Sequence, residues 1–303
     1  MQKEVSSHMI LTQTFTYDEI CQNLHTLSAE YKDFTTLRIV GTSHDQRDIL
    51  MFRVGLGMES MVLSAGLYGR DSMNPLVFLQ LAQEYCRAYL EDETIGNYHV
   101  RQLLNRCSIC FVPLVNPDGY EISRCGYDAI RNPVLRQFCK IREIDYKQWR
   151  FNAKGIDING NFPCKSYIQQ QLGEYPASEP ETRALMKVFE EYDTVGYLNF
   201  QSRGRITYYF RQALPFAYNQ KYHRMARFMQ KMSDCCIGRK EGESTYKATG
   251  GTPINYYSEL MKKPALTIET LEPALEEAPL NPECFKETYK EVRILPLKII
   301  QKL

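Results

Sequence analysis

Short apolar runs rich in β-branched and aromatic residues alternate along this chain with stretches of helical periodicity, and that alternation leaves few folds open. The runs are Leu37 to Val40, Ile49 to Val54, Met61 to Leu67, Cys107 to Val115, Val195 to Phe200, Ile206 to Phe210 and Ala265 to Glu269. A capping box, Thr16-Tyr-Asp-Glu19, opens a helix expected to reach about Tyr31. Asn74-Pro75 supplies an N-cap and an N1 proline ahead of Leu76 to Leu90. Ser178-Glu-Pro-Glu181 reads as a second capping box, before a helix to about Tyr192. Phe216 to Met232 and Pro282 to Leu303 are helical in pattern, the latter interrupted at Pro296. Strands separated by long helices predict an α/β fold, with a mixed, mostly parallel twisted sheet covered by helices on both faces. No linker or internal repeat divides residues 1–303, which are read as a single domain.

The 37 basic residues nearly cancel the 36 acidic ones, so no global field draws the protein to nucleic acid or to an acidic membrane. No apolar stretch approaches the roughly 18 to 20 residues that span a bilayer, and Met1 to Thr16 lacks an apolar signal core. A cytoplasmic location is the resulting expectation. Such a chain keeps its ten cysteines as thiols. Cys107 and Cys110 form a C-x-x-C, but they lie in an apolar run that reads as a strand. Positions three apart on a strand face opposite ways, so core packing is expected rather than a shared metal. The segment from Asn116 to Tyr175 is weakly periodic and rich in turn residues, as cleft-forming loops are. Within it, Asn116-Pro-Asp-Gly119 reads as a turn bracing the cleft.

Seven motifs in order carry a family resemblance: Ala65-Gly-Leu-Tyr-Gly-Arg-Asp-Ser-Met-Asn-Pro75, Pro113-Leu-Val-Asn-Pro-Asp-Gly-Tyr120, Trp149 to Pro163 with its Asp-Ile-Asn core, Ser178 to Ala184, Gln201-Ser-Arg-Gly204, Tyr246 to Thr252 and Leu266-Thr-Ile-Glu269. From about residue 16 to 271 the chain resembles the zinc carboxypeptidases, peptidase family M14, and the Trp149 to Pro163 block is closest in shape to bacterial members that cut cell-wall peptides. The resemblance implies a zinc ion held by a His-x-x-Glu pair and a distant histidine, with a glutamate as general base. It also implies an arginine at the oxyanion and an Asn-Arg pair on the substrate carboxylate.

Carried over residue by residue, the metal ligands fall on Tyr68, Asp71 and Gln201. A phenol and a neutral amide are poor zinc donors, and aspartate is a methylene shorter than glutamate. The five histidines, at 8, 25, 44, 99 and 223, lie in no matching motif. Other positions survive. Glu269 matches the general base, Arg150 the oxyanion arginine and Tyr246 the tyrosine that closes over substrate. Asn159 is kept while its partner arginine has become Gly160, and Pro253 stands at the specificity position. Glu269 reads equally as a buried carboxylate paired with Arg150. Cys164 has no histidine placed beside it by any motif, so an unactivated thiol is expected.

Zinc lowers the pKa of bound water from 15.7 to about 7, which is roughly 12 kcal/mol of help in forming hydroxide. Acid–base and oxyanion groups supply a few kcal/mol each, so Glu269 and Arg150 leave a deficit of several powers of ten in rate. The expectation is a non-hydrolytic protein that binds a peptide or peptidoglycan fragment, with no cofactor. The alternative is an active metallopeptidase with an atypical metal site, zinc included, using Glu269 as base. A structural, partner-binding role is the third reading.

Overall fold

Strand β6 (Cys107–Val112) shows how the sequence divides the molecule into layers. All six residues are buried, and their side chains alternate between two cores: Cys107, Ile109 and Phe111 enter one, Cys110 and Val112 the other. The C-x-x-C pair is thus split between the faces of the sheet, as its spacing implied. In the computed structural model the described residues are 15–169, 174–202, 204–211, 213–230, 236–237, 251–271 and 281–302.

The main sheet contains β1 (Thr35–Thr42), β2 (Asp48–Val54), β3 (Glu59–Ser64), β6, β7 (Thr194–Gln201), β8 (Ile206–Tyr208), β9 (Cys236–Ile237) and β10 (Ala265–Glu269). They lie in the order β1-β2-β6-β3-β7-β10-β8-β9, and β4 (Thr94–Ile95) and β5 (Tyr98–His99) form a separate two-stranded sheet. The central run β6-β3-β7-β10 is parallel, and β8 pairs parallel with β9. The pairings β1–β2, β2–β6 and β10–β8 are antiparallel. The sheet is mixed and mostly parallel, as expected.

Helices α1 (Tyr17–Glu30), α2 (Met73–Glu91) and α3 (Val100–Arg106) cover one face together with α9 (Pro282–Val292) and α10 (Leu295–Lys302). There Phe78 of α2 meets Phe111 and Phe200 edge-on, at centroid distances of 5.5 and 5.1 Å. Helices α6 (Pro180–Glu191) and α8 (Pro253–Met261) cover the other face through Leu185, Val188, Phe189 and Tyr257. The remaining helices are α4 (Pro117–Cys125), α5 (Pro133–Lys140) and α7 (Phe216–Gln230). Among the described residues no helix is long and apolar enough to cross a membrane.

The Thr16–Glu19 capping box forms, but two expected helix starts move. Ser72, not Asn74, is the N-cap of α2, because the buried Asn74 amide donates to Asp71 and its oxygen accepts from Thr270. Ser178 caps nothing: α6 starts one residue later, behind Glu179, and the Ser178 hydroxyl binds Asn161 and Glu179 instead. The Pro282 segment breaks at Arg293 and Ile294, with Pro296 in the first turn of α10. Asn116 is more than a turn residue. It accepts from Gly119 to cap α4, and its amide donates to the Leu67 and Phe151 carbonyls, tying two loops together. Backbones meet so closely here that a side chain at Gly69 would strike Gly119, and one at Gly119 would strike Phe151.

Candidate functional site

Three adjacent parallel strands, β3, β7 and β10, deliver the site at their carboxyl ends, where ligands collect in such sheets. The loop leaving β3 carries Tyr68 and Asp71, β7 ends on Gln201, and β10 ends on Glu269, the Cα partner of Gln201. Arg150 and Asn159 arrive on the segment that Asn116 fastens to the β3 loop, where Gly69 N–H also donates to the Arg150 carbonyl at 3.3 Å.

Four of these side chains join in one hydrogen-bonded string. The Gln201 amide donates to Asn159 Oδ1 at 3.4 Å, and Asn159 Nδ2 donates to the Tyr68 hydroxyl at 2.8 Å. Arg150 donates to the same hydroxyl at 3.4 Å, lies over the Tyr68 ring with 4.7 Å to its centroid, and forms an ion pair with buried Asp157. Arg70 flanks that ring from 6.0 Å. Burial, with Asp157 nearby, raises the Tyr68 phenol well above its usual range, so it stays protonated at neutral pH. Burial and then the Arg150 charge lower the Arg70 pKa, and burial raises that of Asp157 against the pull of Arg150.

Asp71 is 1% exposed and fully engaged by protein donors. Asn74 Nδ2 reaches its two oxygens at 3.1 and 3.4 Å, Ser202 donates at 3.2 Å, and the Gly66 and Asn74 amides each donate at 3.4 Å. Burial still pushes its carboxyl up to about 6. Glu269 is buried, and Gly204 passes so close that a side chain there would strike its carboxylate. A phenol, a neutral amide bonded to Asn159 and a single carboxylate ringed by protein donors are a poor donor set for a zinc ion.

Pro253 sits buried at the first position of α8. Its neighbour Gly251 accepts from Phe162 N–H at 2.8 Å, which places it beside the Asn159 segment. Tyr246 lies outside the described residues. Cys164 is raised by burial and bonds Ser166, an unreactive setting for a thiol. Ser202, Asn74, Arg70 and Asp157 have no site role by sequence, although all four lie inside quoted motifs: Arg70 and Asn74 in the first, Asp157 in Trp149 to Pro163 and Ser202 in Gln201 to Gly204.

A second cluster stands behind the Arg150 segment. His44, in the β1–β2 turn, bonds Glu179 at 2.8 Å, and a ring nitrogen of His44 and one oxygen each of Glu179 and Glu181 lie within 4.8 Å of one another. Burial would raise Glu179, but hydrogen bonds from His44, Asn152 and Ser178 outweigh it and hold the carboxyl low. Burial, reinforced by the Asp118 carboxylate, pushes Glu181 up to about 8. The sequence motifs gave His44 no role.

A model of the zinc carboxypeptidase family, Peptidase M14, matches residues 20–290. The chain belongs to this family. Among curated relatives, gamma-D-glutamyl-L-diamino acid endopeptidase 1 of Lysinibacillus sphaericus is 22% identical over 211 residues, covering 65% of this chain and 52% of that protein. The inactive metallocarboxypeptidase ECM14 of Arthroderma benhamiae is 25% identical over 188 residues, covering 57% of this chain and 30% of that protein. The chain spans about half or less of the length of the curated relatives it matches. Bovine thrombin-activatable fibrinolysis inhibitor superposes with a TM-score of 0.75 at 18% identity, over 96% of this chain and 97% of its own. That likeness concerns the fold.

Proposed function

We propose that the cleft binds a peptide carrying free carboxylates, of the cell-wall type, and does not hydrolyse it. The observation that carries this reading is the hydrogen-bonded string Gln201–Asn159–Tyr68–Arg150, beside an Asp71 carboxylate already ringed by donors. Together they engage Tyr68, Asp71 and Gln201, the three positions that the resemblance assigns to metal ligands. A divalent ion there would have to displace these bonds and sit beside the Arg70 and Arg150 guanidiniums, and of the three ligand positions only Asp71 is a carboxylate. The same two cations favour a ligand with negative charge, since guanidinium binds carboxylate through paired N–H donors. A relative named for the γ-D-glutamyl-L-diamino acid bond supports the cell-wall class, and one named as inactive supports loss of chemistry within the family. Arg150, Asn159 and Pro253 are assigned to ligand contact, and Glu269 is retained without a metal-bound water to act on.

The test is a peptide containing a γ-D-glutamyl-L-diamino acid bond, incubated with zinc-supplemented protein and also titrated by calorimetry. Binding without cleavage is expected. Cleavage abolished by Glu269→Gln would make the protein a working peptidase, and absence of binding by any such peptide would assign it a structural role.

A further inference from the structure

We propose that His44, Glu179 and Glu181 form a zinc site, separate from the cleft and independent of what the cleft binds. The three donors come from two elements: His44 from the β1–β2 turn, and Glu179 and Glu181 from either side of Pro180 at the start of α6. One atom of each lies within 4.8 Å of the other two, and an ion among them would displace the Asn152 amide, which now donates to Glu179 at 2.6 Å and to Glu181 at 3.2 Å. Tetrahedral zinc with bonds of about 2.0–2.1 Å sets its ligand atoms about 3.3 Å apart. His44 and Glu179, now at 2.8 Å, would part by about half an ångström to admit it.

Glu181 points to a cation most directly. Its side chain is fully buried, Oε2 takes the Asn152 amide at 3.2 Å, and Oε1 has no hydrogen-bond partner. Glu179 is 1% exposed, and among the described residues no lysine or arginine pairs with either carboxylate. A fully buried carboxyl oxygen with no hydrogen-bond partner, packed beside a second buried carboxylate, is costly. One imidazole and two carboxylates are borderline donors suited to zinc, and a water completes four-coordination. The His44 side chain is 18% exposed, which leaves an entry path.

The ion would act as a clip. Asn152, whose amide contacts both carboxylates, lies two residues beyond Arg150, and Glu179 N–H donates to Asn161, two residues beyond Asn159. Zinc here would fix the segment that carries both cleft residues from behind.

The experiment strips the full-length protein with a chelator, reloads it with zinc chloride and measures bound metal by elemental analysis. About one zinc per chain is expected, retained in Asp71→Asn and Gln201→Ala and bound at least tenfold more weakly in His44→Ala and Glu181→Gln. An X-ray absorption spectrum of the loaded wild type should show one imidazole among oxygen neighbours, and it decides the matter if a variant fails to fold. No zinc uptake, or a spectrum without imidazole, overturns the site and leaves the cleft reading intact. Zinc lost in Asp71→Asn or Gln201→Ala but kept in His44→Ala overturns both.

Discussion

Replacing Asp71 by asparagine should make the protein relatively more stable as pH rises, and the size of that gain follows from burial. The folded-state carboxyl is raised from 3.8 to about 6 because the group is almost wholly out of water. A raised carboxyl favours the folded state only while protonated, so its contribution is complete below pH 3.8 and lost as pH climbs through about 6. Two pKa units correspond to roughly 3 kcal/mol in all, of which about 1.3 kcal/mol disappears between pH 5 and pH 7. Asparagine does not titrate, so the stability difference between variant and wild type should move about 1 kcal/mol in the variant's favour over that interval. The amide also turns a donor toward Asn74 or Gly66, but that cost is the same at both pH values and cancels in the comparison. Urea unfolding at pH 5 and pH 7 in the presence of chelator reads the change directly. A shift of the opposite sign would mean a carboxyl held ionised by a neighbouring cation, and the reasoning about this pocket would fail.

Phe78→Ala should cost about 3–5 kcal/mol in urea unfolding, because it empties the space between Phe111 and Phe200; a loss under about 1 kcal/mol would mean that this face is loosely packed. Gly204→Ala should destabilise by about 1–3 kcal/mol and displace the Glu269 carboxylate in a crystal structure, whereas an unmoved Glu269 would contradict the close approach. Arg150→Lys keeps the charge but loses the planar stack on Tyr68, so calorimetry should show about tenfold weaker binding of a carboxylate-bearing peptide. Unchanged affinity would remove Arg150 from the ligand site.

The strands were legible in outline because short continuous apolar runs, β-rich and bounded by turn residues, mark strands buried on both faces: Ala265–Glu269 falls where the sequence puts it, and the Cys107 run starts on its first residue. Pairing direction was not legible, since nothing within β2 records that both its neighbours run antiparallel to it. The misplaced helix starts share one cause. Asn74 and Ser178 have good capping chemistry, but tertiary partners, Thr270 and Asn161, claim their side chains, with Asp71 also engaging Asn74 locally. Helices α4 and α5 leave little helical pattern in the sequence because turn residues dominate their surroundings. In the cleft, Tyr68, Asp71, Gln201, Asn159, Arg150 and Glu269 could be named only through family resemblance, as no local pattern links positions so far apart. Their partners Ser202 and Asp157 and the His44 cluster became visible only once the chain was folded.

Anomalous diffraction at the zinc edge, on crystals grown with added zinc, tests the central claim most directly. The account predicts no peak among Tyr68, Asp71 and Gln201. A peak about 2 Å from the oxygens of Asp71 and Gln201 would contradict it and return the cleft to metal-dependent chemistry.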